Sequence, residues 1–291
     1  MASGKHIVGF SGGADSQACA GWVLDRFDKD DVILINSDAG GNEHPLTTAH
    51  IRWYSEHVHP VVMVQALVKD LQGVGSKCGA TALRRAQLGD ESAPLTFDML
   101  AFVKGIFPSR KAQFCTKILK LEPQRRWMNE NLPLGTFFTR YAGVRADESE
   151  DRKHLAERQW DDWFDCELVR PLLRWSKADV FSYLKARGEE SNPLYRLGFS
   201  RVGCAPCVNS GKDDVRLWAA RFPEMIDKVR EWEKSVGRTF FPPCVPGKAI
   251  NWVDEVVLWS KTLHGGQRLA LPFVEAEAEA GTCSSKYGLC E

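Results

Sequence analysis

Charge of one sign is what this chain does not accumulate: Lys plus Arg and Asp plus Glu both total 38 in 291 residues, a formal net charge of zero. A neutral chain has no global field of the kind that coats nucleic acid unspecifically, so any nucleic-acid partner must be held by a local patch. Long apolar runs are missing too. No stretch approaches the roughly 18 uncharged apolar residues of a membrane span. Met1 to His6 runs into a strand pattern, not into the apolar core of a signal peptide. A cytoplasmic protein without a membrane partner is the expectation. Nine cysteines, an odd number with no secretion signal ahead of them, fit reduced thiols, metal ligation or catalysis better than a disulfide framework. What is present is enough apolar material for a sizeable core: 44% hydrophobic residues beside 26% charged ones exclude a disordered chain and a small disulfide scaffold.

Apolar runs and turn signals alternate in the first half. His6 to Phe10 reads as a strand, Ser11 to Ser16 as a tight loop, and Ala18 to Phe27 as a helix. Asp31 to Asn36 is too continuously apolar for a half-exposed strand and suits the middle of a parallel sheet. Leu46 to His57 has helical spacing, while Pro60 to Ala66 and Gly135 to Val144 read as strands. This alternation predicts an α/β fold with a Rossmann-like, doubly wound parallel sheet, whose ligands sit over the carboxyl ends of the strands. Leu71 to Pro94, rich in Gly, Ser and Ala, reads as a long loop. From Trp175 the texture turns helical, with helices expected over 176–187, 213–220 and 223–236. The expected division is therefore a nucleotide-binding α/β domain over 1–175 and a helical, Cys-containing region over 176–291. Glu275 to Gly281 reads as an acidic spacer ahead of a tail that carries Cys283 and Cys290, and Trp252 and Trp259 read as packing residues. No internal repeat is present.

Ser11-Gly12-Gly13-Ala14-Asp15-Ser16, between a strand and a helix, has the chemistry of a phosphate cradle. Its glycines let backbone N–H groups converge, and its hydroxyls and the helix N-terminus add donors to an anion. Asp15 is placed to hold a magnesium ion that bridges phosphates. The lysine of a Walker A loop is missing, which excludes that class. Arg145 follows a strand-like run, and Lys120 is interleaved with Lys117, Arg125 and Arg126, so both are candidate anion ligands. Glu148 is read either as an orienting partner of Arg145 or as a helix cap. Cys204-Ala-Pro-Cys207 is a C-x-x-C knuckle, which suits a metal or cluster as well as a redox disulfide.

The hexapeptide matches the SGGxDS loop of PP-loop ATP pyrophosphatases, and the chain from about Lys5 to Glu224 resembles the branch that includes the phosphoadenosine phosphosulfate (PAPS) reductases. The pieces that carry the resemblance stand in order: Asp38 with Glu43, Phe107-Pro-Ser-Arg110, Phe114-Cys115-Thr116 with Leu119-Lys120 and Pro123, and Gly143-Val-Arg145-Ala-Asp-Glu148-Ser149. Arg170-Pro171-Leu172, Asn192-Pro193-Leu194-Tyr195, Gly198 and Arg201-Val-Gly203-Cys204-Ala-Pro-Cys207 complete the series. The resemblance implies an adenine nucleotide alpha hydrolase-like fold. In it the loop residues Ser11, Gly12, Gly13, Asp15 and Ser16 take phosphates, Asp38 lies near the adenosine, and Lys120 and Arg145 face the phosphate or sulfate end.

It also implies ATP with Mg2+ and a [4Fe-4S] cluster on Cys115, Cys204 and Cys207, with Zn2+ as the alternative metal. Two departures matter. Cys115 stands alone where iron-sulfur reductases carry paired cysteines, so the fourth ligand either comes from elsewhere, with Cys283 preferred over Cys244 and Cys290, or is absent, which would leave one iron open to sulfide or substrate sulfur. The tail reads Tyr287-Gly288-Leu289-Cys290-Glu291, which sets Cys290 after the Gly-Leu that follows the reductases' nucleophile. Cys290 is then a displaced nucleophile or sulfur carrier, or part of a structural tail. Cys19, Cys78 and Cys166 are read as plain thiols.

The complete loop favours an ATP-pyrophosphatase-type sulfurtransferase that adenylates an acceptor, such as a tRNA or DNA, with a sulfur donor such as a cysteine desulfurase. A reductase releasing sulfite from phosphoadenosine or adenosine phosphosulfate is the second reading. A non-catalytic nucleotide-binding module is the third.

Overall fold

The structure, a computed structural model, describes residues 4–71, 84, 86–244 and 250–262. Six strands form one sheet in the order β3-β2-β1-β4-β6-β5. They are β1 (Lys5–Gly9), β2 (Val32–Asp38), β3 (Val61–Gln65), β4 (Phe138–Tyr141), β5 (Arg158–Asp161) and β6 (Cys166–Val169). All neighbours pair in parallel except β5, which runs antiparallel to β6 at one edge. The chain passes from β1 to β2 and β3 on one side and later returns to β4 on the other. A crevice therefore opens between the loops that follow β1 and β4.

The strands are apolar on both faces because helices cover both. Val8 and Leu34 join α1 (Ala14–Leu24), α2 (Pro45–His57) and α6 (Lys177–Ala186) in one buried cluster. Their alternate neighbours Ile7 and Ile35 join Leu121, Met128 and Phe164 in another, formed with a π-helical stretch (Thr116–Leu121) and α4 (Glu122–Asn131). This period-2 division is what a doubly covered sheet requires. Ten of the eleven residues of α1 are buried, so it has no polar face and its small side chains let it lie close to the sheet.

A third and larger cluster packs α3 (Phe97–Lys104), α8 (Lys212–Arg221), α9 (Pro223–Val236) and α10 (Val253–Ser260) around Phe97, Phe107, Trp232 and Phe240. Two short helices, α5 (Glu150–Lys153) and α7 (Pro193–Arg196), complete the described set. The expected elements are present within a few residues of their bounds, and Trp259 packs against the third cluster while Trp252 is exposed. The expected all-parallel sheet gains one antiparallel edge. Most of the loop expected over 71–94, including Cys78, lies outside the described residues, as do the acidic spacer, Cys283 and Cys290.

Candidate functional site

The turn after β1 is held by its own hydroxyls. Ser16 Oγ donates to Gly13 O at 2.9 Å and accepts from Ser11 N–H at 3.2 Å and from the Ser11 hydroxyl at 3.1 Å. Ser11 Oγ in turn receives Gly13 N–H at 3.4 Å. Gly12 has φ +78°, and a Cβ there would stand 2.8 Å from Ile51, so glycine is required for conformation and for space. Gly143, just beyond β4, is required for contact: its Cβ would stand 2.4 Å from Asp15 O. The two loops that bound the crevice thus touch backbone to backbone.

Arg145 continues from that contact. Its Nε donates to Asp15 Oδ1 at 2.8 Å with both side chains buried, and its Nη1 bonds Asp147. Glu148 accepts from Arg145 N–H at 3.3 Å and pairs with buried Arg152, so it serves as a cap and as the partner of Arg152 rather than as the partner of the Arg145 guanidinium. Asp38 accepts from Gly41 N–H at 2.8 Å, which closes the turn after β2.

The crevice floor is formed by Gly9, Phe10, Ser11, Ser16, Ile35, Asn36 and Ser37, and its walls by Gly143, Glu43, Lys120 and Gln124. Lys120 reaches it from the π-helical stretch, a geometry that shifts side chains off the regular helical register and often marks functional positions. That segment is tied to the sheet where Ser37 Oγ donates to Lys120 O at 2.8 Å and Gln124 Nε2 donates to Ser37 Oγ at 3.0 Å. Burial pushes the Glu43 carboxyl up to about 7, opposed by the Lys120 charge and reinforced by Asp38. A carboxyl that exchanges its proton near neutrality beside a lysine, at the mouth of an anion cradle, is suited to proton transfer.

Of the expected residues, Ser11, Ser16 and Lys120 line the crevice, Gly12, Gly13, Asp15 and Arg145 stand in its supporting loops, and Asp38 shapes the neighbouring turn. Glu43, part of the ordered motif series, also lines the crevice, and its place five residues after Asp38 is the sequence signal for it.

The C-x-x-C knuckle is sewn to that same turn. Glu43 and Cys204 form an antiparallel bridge, Ala205 N–H donates to Asn42 O at 3.0 Å, and buried Asn42 Nδ2 donates to Pro206 O at 3.1 Å. Within the knuckle, Asn209 N–H points at Cys207 Sγ at 3.5 Å. Cys115 immediately precedes the π-helical stretch and, like Cys207 and Cys244, packs half-buried against the large core. Among the described residues no group of three or more His, Cys, Asp or Glu side chains is gathered to hold a metal ion. Cys204 and Cys207 share the knuckle, and Cys115 and Cys207 pack against the same core.

Residues 95–210 match the family model described as the phosphoadenosine phosphosulfate reductase domain. A 37.8 kDa protein of Escherichia phage 186, itself uncharacterised, is 31% identical in an alignment that covers 98% of this chain and 96% of that protein. The chain belongs to the PAPS reductase family. The adenosine 5'-phosphosulfate reductase of Allochromatium vinosum is 33% identical over 121 residues, 40% of this chain and 44% of that enzyme. The chain thus spans less than half the length of that reductase relative. Among solved structures, a PAPS reductase from Candida auris aligns with a TM-score of 0.45 at 18% identity, covering 70% of this chain and 82% of that one. A U34-tRNA thiolase from Methanococcus maripaludis, solved with its [4Fe-4S] cluster, aligns with a TM-score of 0.38 at 14% identity, covering 91% and 84%.

Proposed function

We propose that the protein binds ATP with its phosphates in the Ser11–Ser16 loop and adenylates an oxygen on an acceptor, preparing that position for sulfur. The observation that carries this reading is the complete hydroxyl-laced loop, abutted by Gly143 and opening onto Lys120. A pyrophosphate leaving group needs such a row of donors to spread its charge. In the reaction the acceptor oxygen attacks the α-phosphorus, the bond from that phosphorus to the oxygen bridging to the β-phosphate breaks, and pyrophosphate departs with the electron pair. A hydrosulfide ion then attacks the acceptor carbon, the carbon–oxygen bond breaks, AMP departs, and the sulfur loses its proton to solvent.

The chain's own residues supply position and charge. Ser11, Gly13 and Ser16 shape the loop, Arg145 is held beside it by Asp15, Lys120 neutralises phosphate oxygens, and Glu43 accepts the acceptor's proton. Magnesium asks for one or two carboxylates beside phosphate oxygens and its own waters. Asp15 meets that demand, and the ion bound with ATP would offset phosphate charge.

Release of sulfite from an adenylyl sulfate is the second reading, favoured by the named reductases among the relatives. The two are separated by supplying ATP or adenosine 5'-phosphosulfate to the purified protein, with a nucleic acid fraction lacking thiol modification as acceptor, a sulfide source and a dithiol reductant. Pyrophosphate and AMP appearing from ATP supports adenylation. Sulfite from phosphosulfate with inert ATP replaces it by reduction.

A further inference from the structure

The Asn192-Pro193-Leu194-Tyr195 segment, which carries no role in the scheme above, grips the phosphate loop without lining the crevice. Asn192 is fully buried, and its Nδ2 donates to Gly12 O at 3.1 Å and to Thr47 Oγ1 at 3.2 Å. Its Oδ1 receives Leu194 N–H at 3.0 Å, so the same amide caps α7. One turn later Tyr195 Oη accepts Ala14 N–H at 3.0 Å, at the first residue of α1. The Tyr195 ring is braced edge-on by Phe181 at 5.2 Å. Two polar side chains of one short segment therefore hold the loop at residues 12 and 14, on either side of Gly13.

The chemistry of the peptide unit gives this grip a consequence. A peptide's C=O and N–H point in opposite directions because the unit is planar and trans. Fixing the Gly12 carbonyl toward Asn192 therefore fixes Gly13 N–H toward Ser11, which lines the crevice, and that N–H does meet Ser11 Oγ. Gly12, at φ +78°, has no side-chain preference of its own to hold that orientation. An anion cradle works when its donors are set before the anion arrives.

We infer that Asn192 and Tyr195 are positioning residues that fix the Ser11–Ser16 loop in its phosphate-binding shape. This rests on the reading of that loop as a phosphate cradle. Their removal costs affinity for the phosphates of a nucleotide and not for its adenosine.

The test compares calorimetric affinities for ATP and adenosine in the full-length wild type, Asn192→Ser and Tyr195→Phe. Serine still caps α7 but is too short to reach Gly12, and phenylalanine keeps the ring against Phe181, so both variants are built to fold, which their melting temperatures check. Each is expected to bind ATP about tenfold more weakly, the worth of one positioned hydrogen bond, with adenosine affinity unchanged. Unchanged ATP affinity in both variants overturns the inference while leaving the cradle intact. An equal loss for adenosine also overturns it, since that is the signature of a merely structural role. A wild type that binds ATP no more tightly than adenosine removes the cradle reading itself.

Discussion

Arg145 and Asp15 form an ion pair with both side chains buried, and Arg145 also pairs with Asp147. Two opposite charges buried together are weakly stabilising as a pair, yet removing one leaves the other uncompensated at a cost of about 3–5 kcal/mol. Arg145→Ala is accordingly expected to lower unfolding free energy by that order, and a second change, Asp15→Asn, to recover a good part of it without restoring ATP binding. Chemical denaturation of the three variants measures the cycle; additive losses would show that the two side chains do not act as a pair. Gly143 is a different kind of residue, chosen for what it lacks. With a Cβ 2.4 Å from Asp15 O, Gly143→Ala must push the two loops apart. Overpacking of this kind costs about 1–3 kcal/mol, and because it opens the crevice it should also weaken ATP binding measured by calorimetry. A variant of full stability and full affinity contradicts the backbone contact.

At the scale of elements, α1, α2 and the turn before α7 share a buried polar network behind the loop. His50 is buried, with Nε2 3.1 Å from Gln17 Oε1, so the proton is assigned to Nε2, and Gln17 Nε2 donates to Glu189 and to Glu190 O. Burial, with help from Arg196 and against the pull of Glu190, holds the imidazole at about 4, below its ordinary 6.5. The unfolded chain therefore takes up a proton between pH 6.5 and 4 that the native state refuses, and stability must fall as pH falls through that window. The loss by pH 4 is about 3 kcal/mol. His50→Gln, which keeps an amide for Gln17 but does not titrate, should flatten this part of the stability profile. Parallel profiles for the two proteins would contradict the assignment.

The elements differ in how openly the sequence announces them. β1 and β2 are continuous apolar runs ended by Gly-rich loops, and their buried positions produce that signal directly. β5 is Arg-Gln-Trp-Asp, largely exposed at an edge, and it turns into β6 through Asp165 at φ 54° where a glycine would have marked the hairpin. Neither strand leaves a periodic trace, so the antiparallel edge is found only in the structure.

In the whole molecule, the site is a place where distant stretches of chain are fastened together. The Ser11–Ser16 loop is readable because its chemistry is contiguous. Lys120 and Arg145 are readable as cations near strand or helix ends. The seam between Asn42-Glu43 and Cys204-Pro206 is made of backbone hydrogen bonds and one amide, for which no residue pattern is diagnostic. It nevertheless sets the cysteine knuckle against the turn that presents Glu43 to the crevice. The three thiols that read as a ligand set come from two distant stretches of chain, and Cys115 and Cys207 pack against the same large core.

This crevice is built for nucleotide phosphate on the reading proposed above. Its most direct test is isothermal calorimetry of the full-length protein with adenosine, AMP, ADP and ATP in turn, in magnesium-containing buffer. Affinity is expected to climb with each added phosphate, and Lys120→Ala to remove most of the climb while leaving adenosine unaffected. Equal affinity across the series, or a climb that Lys120→Ala leaves intact, would contradict it.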